Sequence, residues 1–471
     1  MSLRTGINRL SNYFTYLKGQ FERAIELYTI AINIDPKNHI YYVNRSFAYF
    51  QLKSYTNSIV DATKAVELDE NFIKGYYRRA LAFMELNDMP NAIKDFEYLH
   101  TKLPSNKDIT TKLSISRNRL IAERYRLALC QTEIKTIWET LKEIKEPSEN
   151  NYSGPRIDFD NLNANKVNEI IEFFKQQKMI HSYFVAQLIL RCNERFKNMP
   201  NITRLDGPNG DQRRITICGD IHGQFYDFLN IFAINGMPSP NNIFIFNGDF
   251  VDRGEFSVEV ILVMLLINQM NPNCLFLNRG NHENHSMNCL YGFEAEVKNK
   301  FKSYVGDDMY IAFKALFEAL PICTIVGEKI FIVHGGVPGN GDVSLEEIEN
   351  INRFEQIPDE GIFCDLLWAD PHPSTGTLPS SRGISHRFGS DITERFLSKN
   401  NLSCVVRSHE MQDEGYSKMH HDKCVTIFSA PNYCNTMNNK AAFIGVQDNL
   451  SLEFTKFNSV SHPVPSALGI K

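Results

Sequence analysis

The sequence predicts two domains of different class, an all-α repeat superhelix followed by an α/β domain, and three observations carry that reading. Near the N-terminus, segments beginning at Phe21 (FERAIELYTIAINIDP), Tyr55 (YTNSIVDATKAVELDE) and Met89 (MPNAIKDFEYLHTKLP) align at a constant offset of 34 residues. Ala24, Ser58 and Ala92 correspond in that alignment, as do Ile25, Ile59 and Ile93, and Ala31, Ala65 and Leu99. From about residue 205 the texture changes to short β-branched and aromatic runs alternating with helical segments. Between them EPSENNYSGP, residues 146–155, is a polar Pro/Gly/Ser/Asn break and reads as a linker. The expected boundaries are 8–145 for the repeats and their capping helix, 146–155 for the linker, 156–460 for the α/β domain and 461–471 for a short tail.

Composition narrows the class. A chain of 471 residues is long enough for two or three cores, and 22% charged with 43% hydrophobic residues is ordinary for a soluble globular protein. A formal net charge of −5 speaks against nucleic acid or an acidic membrane as partner. The longest apolar run, VEVILVMLLI at 258–267, contains Glu259 and is too short to span a bilayer, so no membrane insertion is expected. The opening MSLRTGINRLSNYF lacks the apolar core of a signal peptide, and the ten cysteines are scattered with no CxxC pair. Both point to a reducing intracellular setting, cytoplasmic and also nuclear.

In the first quarter, the 34-residue period of paired amphipathic helices, with small residues where helices cross, resembles tetratricopeptide repeats. The charged stretch 107–146 reads as the capping helix of the array. Most charged residues here belong to a solvated helix face. Asn44, Lys74 and Arg78 are different, because they fall on the first helices of the second and third repeats, where a Lys and an Arg one turn apart can hold a carboxylate. YYVNRS and KGYYRR resemble the carboxylate clamp of chaperone-binding repeat domains, which implies the C-terminal Glu-Glu-Val-Asp tails of heat-shock chaperones as partners. The first helix departs from that pattern: where such clamps carry a Lys and then an Asn, this chain has Arg9 and Tyr13, and Asn12 takes the small-residue position.

In the second domain the strands end in an unusual way. RITI leads to CGDIHG, NIFIF to NGDFVDRG, CLFL to NRGNHE, KIFIV to HGG and LSCVV to RSHE, while CVTIF ends in SAPNYC. Taken alone, Asp220-Ile221-His222-Gly223 is explained as a polar turn, and a lone His after a strand as a satisfied histidine. Five such turns carrying Asp, His or Asn are not. Ligands in α/β sheets collect at the C-terminal ends of strands, so Asp220, His222, Asp249, Asn281, His334 and His409 are expected to converge. Nitrogen and oxygen donors without thiolate suit divalent ions of the manganese, iron or zinc type. Six ligands exceed what one catalytic ion with open positions needs but suit two ions sharing a carboxylate, with Asp249 as the bridge.

GDIHG, GDFVDRG, RGNHE, HGG, RSHE, LLWADP and SAPNYC together are similar to the phosphoprotein phosphatase family of serine/threonine phosphatases, over about 205–460. The resemblance implies a metallophosphoesterase domain, a central β-sandwich flanked by helices. It places one metal ion on Asp220, His222 and Asp249 and a second on Asp249, Asn281, His334 and His409. It also implies direct attack of a metal-bridging hydroxide on phosphoserine or phosphothreonine in phosphoprotein substrates. His282 would protonate the leaving group, oriented by Asp252; Arg253, Arg382, Tyr433 and Asn281 would bind the phosphate. Arg279 reads as one half of a structural salt bridge, and His285, His386, His420 and His421 as structural or exposed.

Two rival readings stay open on the sequence, a different two-metal phosphoesterase and a chaperone-binding adaptor carrying an inactive phosphatase fold. In repeat-bearing members of the family the repeats fold over the active site with help from a C-terminal helix. Pro463 and Pro465 in SHPVPSALGIK leave little room for one, so a weak or absent contribution of the tail to autoinhibition is expected.

Overall fold

The computed structural model describes residues 21–86, 88–129, 136–208, 210, 213–301 and 303–463. The departing first helix, with Arg9, Asn12 and Tyr13, and the tail beyond Pro463 lie outside the described residues. The chain divides into two compact units, one holding the repeats and the other beginning at Thr136.

The repeat unit runs α1 (Phe21–Ile34), α2 (His39–Gln51), α3 (Tyr55–Leu68), α4 (Ile73–Glu85), α5 (Met89–Lys102) and α6 (Lys107–Leu129), each packed on the next in sequence. Short polar caps set the starts: Asn38 accepts from Ile40 N, and Asp88 accepts from Asn91 N with Pro90 in the first turn of α5. Ala62, Ala65, Ala80, Ala82 and Ala92 are completely buried, so the helices cross on side chains no larger than a methyl group. The 34-residue period also extends to polar groups inside the unit. Arg45 forks onto Asp61 with Nε and Nη2 at 2.7 and 2.8 Å and reaches Thr29 Oγ1 at 2.8 Å. One repeat later Arg79 does the same to Asp95 at 2.7 and 2.8 Å and to Thr63 Oγ1 at 3.4 Å. Each guanidinium bridges three consecutive helices and neutralises one buried carboxylate.

The second unit starts earlier than the linker reading placed it. The helix Ile137–Glu143, assigned from sequence to the repeat domain ending at 145, packs instead on the helices Ser182–Lys197 and Ser303–Glu318 of the second unit. Leu141 is completely buried there, and the Lys197 ammonium lies 4.8 Å above the Trp138 ring. That apolar pair, Trp138 and Leu141, fixes the attachment.

Its strands are β1 (Ile202–Leu205), β2 (Arg214–Cys218), β3 (Asn242–Phe246), β4 (Leu275–Leu277), β5 (Cys323–Val326), β6 (Ile330–Val333), β7 (Asp370–Pro371), β8 (Thr377–Pro379), β9 (His386–Phe388), β10 (Cys404–Arg407), β11 (Glu414–Met419), β12 (Cys424–Ile427), β13 (Lys440–Val446) and β14 (Leu452–Phe457). Eleven form one curled sheet in the order β1-β5-β6-β10-β12-β11-β13-β2-β3-β4, with β14 on β13. The join between its halves is a two-residue pairing, Glu414 with Lys440 and Gly415 with Ala441. The halves face each other across Ile215, Ile217, Ile243 and Ile245 from one side and Ile330, Ile332, Val406, Val425 and Ile427 from the other. The expected sandwich is therefore a single sheet folded onto itself. Outside it, the helix Ser257–Met270 is buried from Ser257 to Asn268, which explains a run with no polar face. The runs β2-β3-β4 and β6-β10-β12 are each parallel, so their C-terminal ends gather at one rim. A small sheet of β7, β9 and β8 adds the hairpin that carries Arg382.

Candidate active site

The rim is where the ligand-bearing turns meet. Asp220 and His222 follow β2, Asp249 follows β3, Asn281 follows β4, His334 follows β6 and His409 follows β10, and all six side chains are buried. The turns approach one another closely because two of them touch through glycine. A Cβ on Gly248 (φ +87) would lie 2.5 Å from Gly280 Cα, so no side chain fits at the β3–β4 crossing. The backbone is strained in the same place: His222, Asp249, Asp252, Arg253 and His409 have φ of 45, 52, 70, 70 and 70°. Non-glycine residues persist in that region only when their surroundings over-determine them, and such residues cluster at functional sites.

Hydrogen bonds from outside the cluster orient the imidazoles. His222 Nδ1–H donates to Val251 O at 3.0 Å, which turns Nε2 inward, 3.7 Å from Asp220 Oδ2 and 3.6 Å from Asp249 Oδ2. His334 Nδ1–H donates to Asn247 O at 2.8 Å, and its Nε2 faces Asn281 Oδ1 at 2.8 Å, Asp249 Oδ1 at 3.3 Å and His409 Nδ1 at 3.3 Å. The donors thus fall into two groups, and Asp249 gives one carboxylate oxygen to each. The electrostatics are unbalanced. Burial, then Asp249, pushes the Asp220 carboxyl up to about 7. Burial also acts on Asp249, but the neighbouring imidazoles, His334 foremost, outweigh it and hold that carboxyl well below its usual range. Burial and His282 push His222 down to about 3.

A pair of divalent cations fits these residues. The donors are imidazole, carboxylate and amide oxygen in two groups, the His222 and His334 rings are held by bonds from their far sides, and all converge on a region where buried carboxylates need positive charge. Among the described residues His409 Nε2 is also a buried nitrogen without a hydrogen-bond partner.

Around the cluster, His282 Nδ1 is 2.8 Å from Asp252 Oδ2, its ring is 4.7 Å from that of His222, and its Nε2 lies 4.0 Å from Asp249 Oδ2. Arg382 is held by Asp370 at 2.7 Å and reaches the His409 carbonyl at 3.3 Å. The Tyr433 ring packs on those of His222 and Phe428, centroids 5.1 and 5.2 Å apart, and burial pushes its hydroxyl far above the usual range while Arg253 opposes it. All the predicted site residues of this unit are therefore neighbours.

Other residues were not visible in sequence. Glu283 is completely buried and accepts from Asp249 N at 2.7 Å, Phe250 N at 2.8 Å and Gly280 N at 2.9 Å, tying the β3 and β4 turns together. Asp370 anchors both Arg382 and the buried Arg407. Asn288 bonds Asp252 and the His282 carbonyl. Glu283 follows the predicted acid His282 and lies two residues after the predicted ligand Asn281 in NRGNHE, and that closeness is the one available signal. Arg279 corrects a detail: it is structural, but it bonds the carbonyls of Glu283, Arg353 and Glu355 and stacks on Phe363 rather than forming the expected salt bridge. His285 meets Tyr310, His386 meets Asp365, His420 is buried between Thr393 and the His372 carbonyl, and His421 is exposed.

In the repeat unit Asn44 lies on α2 and Lys74 and Arg78 on α4. The Arg78 guanidinium stacks 4.1 Å over Phe47, three residues on from Asn44. Among the described residues no hydrogen bond or ion pair occupies these three side chains.

Comparison with known proteins agrees with this architecture. The calcineurin-like phosphoesterase family matches residues 213–413, the PPP5 TPR repeat region residues 117–204 and the tetratricopeptide repeat residues 40–72. The chain is 42% identical to serine/threonine-protein phosphatase 5 of Homo sapiens, over 95% of this chain and 89% of that protein. It is 38% identical to serine/threonine-protein phosphatase T of Trypanosoma brucei brucei, over 93% and 92% of the two. A solved structure of a protein serine/threonine phosphatase from Saccharomyces cerevisiae, described as similar to human phosphatase PP5, superposes with a TM-score of 0.60 at 39% identity, covering 63% of this chain and 97% of that one. A repeat array joined to a metallophosphoesterase domain, and identity sustained across nearly the whole length, place this chain in the serine/threonine-protein phosphatase 5 family, as an enzyme that dephosphorylates proteins.

Proposed function

We propose that the chain hydrolyses phosphoserine and phosphothreonine by direct attack of water on phosphorus at the rim of the curled sheet. The observation that carries this reading is the division of Asp249, one oxygen facing His222 and the other His334, beside the His282–Asp252 pair. Asp220, His222 and Asp249 would hold one divalent cation, and Asp249, Asn281, His334 and His409 a second, of the manganese, iron or zinc type. When bound, such a pair lowers the pKa of a water and draws charge off the phosphate.

The chain's own residues then do the following. Arg253 and Arg382 hold the phosphate oxygens, and the strong Arg382–Asp370 bond fixes that guanidinium without neutralising its outer face. The Tyr433 hydroxyl, kept protonated by burial, and the Asn281 amide add donors. His282, with Nδ1–H on Asp252, presents Nε2–H to the seryl oxygen, which takes that proton as its bond to phosphorus breaks. We further infer that Asn44, Lys74 and Arg78 grip the C-terminal carboxylates of heat-shock chaperone tails. We also infer that the repeats restrain the phosphatase and that the enzyme works in the cytoplasm and nucleus; a rise in rate on removing residues 1–135 tests the restraint.

The test of the chemistry is p-nitrophenyl phosphate hydrolysis with added manganese by the wild type, Asp249→Asn and His282→Ala. Turnover by the wild type and loss of most of it in both variants is expected. A folded, manganese-supplied wild type that is inert even without residues 1–135 returns the chain to the adaptor reading.

A further inference from the structure

The Asp252–His282 pair is held by a third side chain that its motif does not include. Asn288, in the helix His285–Tyr291, directs its amide nitrogen at Asp252 Oδ2, 3.1 Å away, and at the His282 carbonyl, 2.6 Å away. Asp252 Oδ2 is the same oxygen that meets His282 Nδ1 at 2.8 Å. Both amide hydrogens are thus committed to the dyad, one at its acid end and one at its main chain. The other side of the amide is left without a partner: Asn288 is 1% exposed and its Oδ1 has no hydrogen-bond partner among the described residues. A buried carbonyl without a partner is costly, so a residue wanted only for packing would be apolar here. The three members come from different elements, the β3 turn, the β4 turn and the following helix. Asp252 sits in a left-handed conformation (φ 70°) that needs outside support.

We propose that Asn288 is a positioning residue for proton transfer to the leaving group. It fixes the Asp252 carboxylate and the His282 main chain relative to each other, so that Nε2–H stays aimed at the departing oxygen. As the phosphorus–oxygen bond breaks, its electron pair remains on the seryl oxygen and takes the Nε2 proton, leaving His282 neutral. This rests on the reading of His282 as the acid. Without Asn288 the imidazole keeps its bond to Asp252, but the Asp252 carboxylate and the His282 carbonyl each lose the bond that ties one to the other. The rate loss must then follow how much the leaving group needs the proton. A p-nitrophenolate needs the proton least, and a phenolate or a seryl alkoxide needs it far more. A residue that served packing alone would slow all substrates by one factor.

The experiment uses the full chain with manganese, as wild type, Asn288→Ala, His282→Ala and the double variant. Substrates are p-nitrophenyl phosphate, phenyl phosphate and a phosphoserine peptide, and thermal melts report folding. Asn288→Ala is expected to slow p-nitrophenyl phosphate a few-fold and the two poorer leaving groups roughly tenfold more, with KM nearly unchanged. In the His282→Ala background it should add nothing. Equal losses on all three substrates, or losses that add in full to those of His282→Ala, overturn the proposal. Should His282→Ala itself slow all three equally, the acid reading fails first. If Asn288→Ala does not fold, Asn288→Ser, which keeps a short donor, is judged by the same criteria.

Discussion

Both units of this chain bury charge, and they do it in opposite ways. In the repeats Arg45 and Asp61 form a fork with Thr29 closing the third bond, and the arrangement recurs one period later with Arg79, Asp95 and Thr63. Charges cancel locally, donors meet acceptors, and the residues sit on ordinary helices. At the rim of the curled sheet, two carboxylates and several imidazoles face one another from turns with positive φ. Local consistency marks the polar groups that build a fold; its breach, stabilised by neighbours such as Glu283, marks the groups kept for chemistry.

Removing one carboxylate from each place breaks or confirms that contrast. Asp249→Asn is expected to lower manganese-supported turnover by on the order of 10³ while leaving the thermal midpoint within a few degrees of wild type, because the group contributes to catalysis rather than to the fold. Loss of folding would show that the centre is also a structural keystone. Asp61→Ala should do the reverse. It leaves the Arg45 guanidinium buried and unpaired, which costs about 3–5 kcal/mol, and should appear as a lower helical melting transition. Replacing the pair by Met and Leu should recover most of that loss. If Asp61→Ala melts like the wild type, the fork is ornament.

The same contrast explains what could be read in advance. The 34-residue period was legible because helix crossings demand small side chains at fixed places, and Ala24, Ala65 and Ala92 supply them. The six motif strands were legible because runs such as NIFIF end abruptly in Gly, Asp and His. The strands β1, β5 and β13, which carry no motif, were not named. The helix Ile137–Glu143 was misassigned because a charged sequence hides the two apolar residues, Trp138 and Leu141, that decide where it packs. Glu283 and Asn288 were missed for a common reason. Their partners are mostly backbone groups, those of Glu283 partly from the distant β3 turn, and backbone leaves no trace in residue types.

Glu283 sharpens the comparison at an intermediate scale. It is buried beside Asp249, and its carboxyl is pushed up to about 7, first by burial and then by Asp249. Yet it is fully satisfied by three main-chain donors. It therefore belongs to the supporting kind, placed inside the chemical region. Glu283→Gln keeps the shape but turns one acceptor oxygen into an NH2 that cannot accept, so at least one of the three bonds is lost, and it should lower manganese affinity by roughly 10–100-fold with little change in turnover at saturating metal. Titration of activity against manganese separates the two effects; a fall in saturated turnover with unchanged affinity would move Glu283 into the catalytic group.

His420 gives the smallest effect and the cleanest control. It lies in the catalytic unit and has φ of 53°, as the site residues do, but both ring nitrogens are used: Nε2–H donates to the His372 carbonyl at 2.9 Å and Nδ1 accepts from the Thr393 hydroxyl at 2.8 Å. If satisfaction rather than strain distinguishes the two kinds of group, His420 is structural. Burial holds its pKa below the usual value; the bond to the His372 carbonyl and the Asp391 carboxylate oppose that, and the His372 and His421 rings add to it. The sign follows directly. The fold prefers the neutral ring, so this contribution is present above the ordinary histidine value near 6.5 and fades as pH falls below it, when the new proton on Nδ1 forces the Thr393 hydroxyl to turn and accept. Thermal melts between pH 7.5 and 5.5 should therefore show a slightly smaller acid loss in His420→Asn, chosen because asparagine tolerates positive φ, than in the wild type. Turnover of p-nitrophenyl phosphate at pH 7.5 should be the same in both, and a tenfold fall there would mean that strained backbone, satisfied or not, is the better marker of chemistry in this fold.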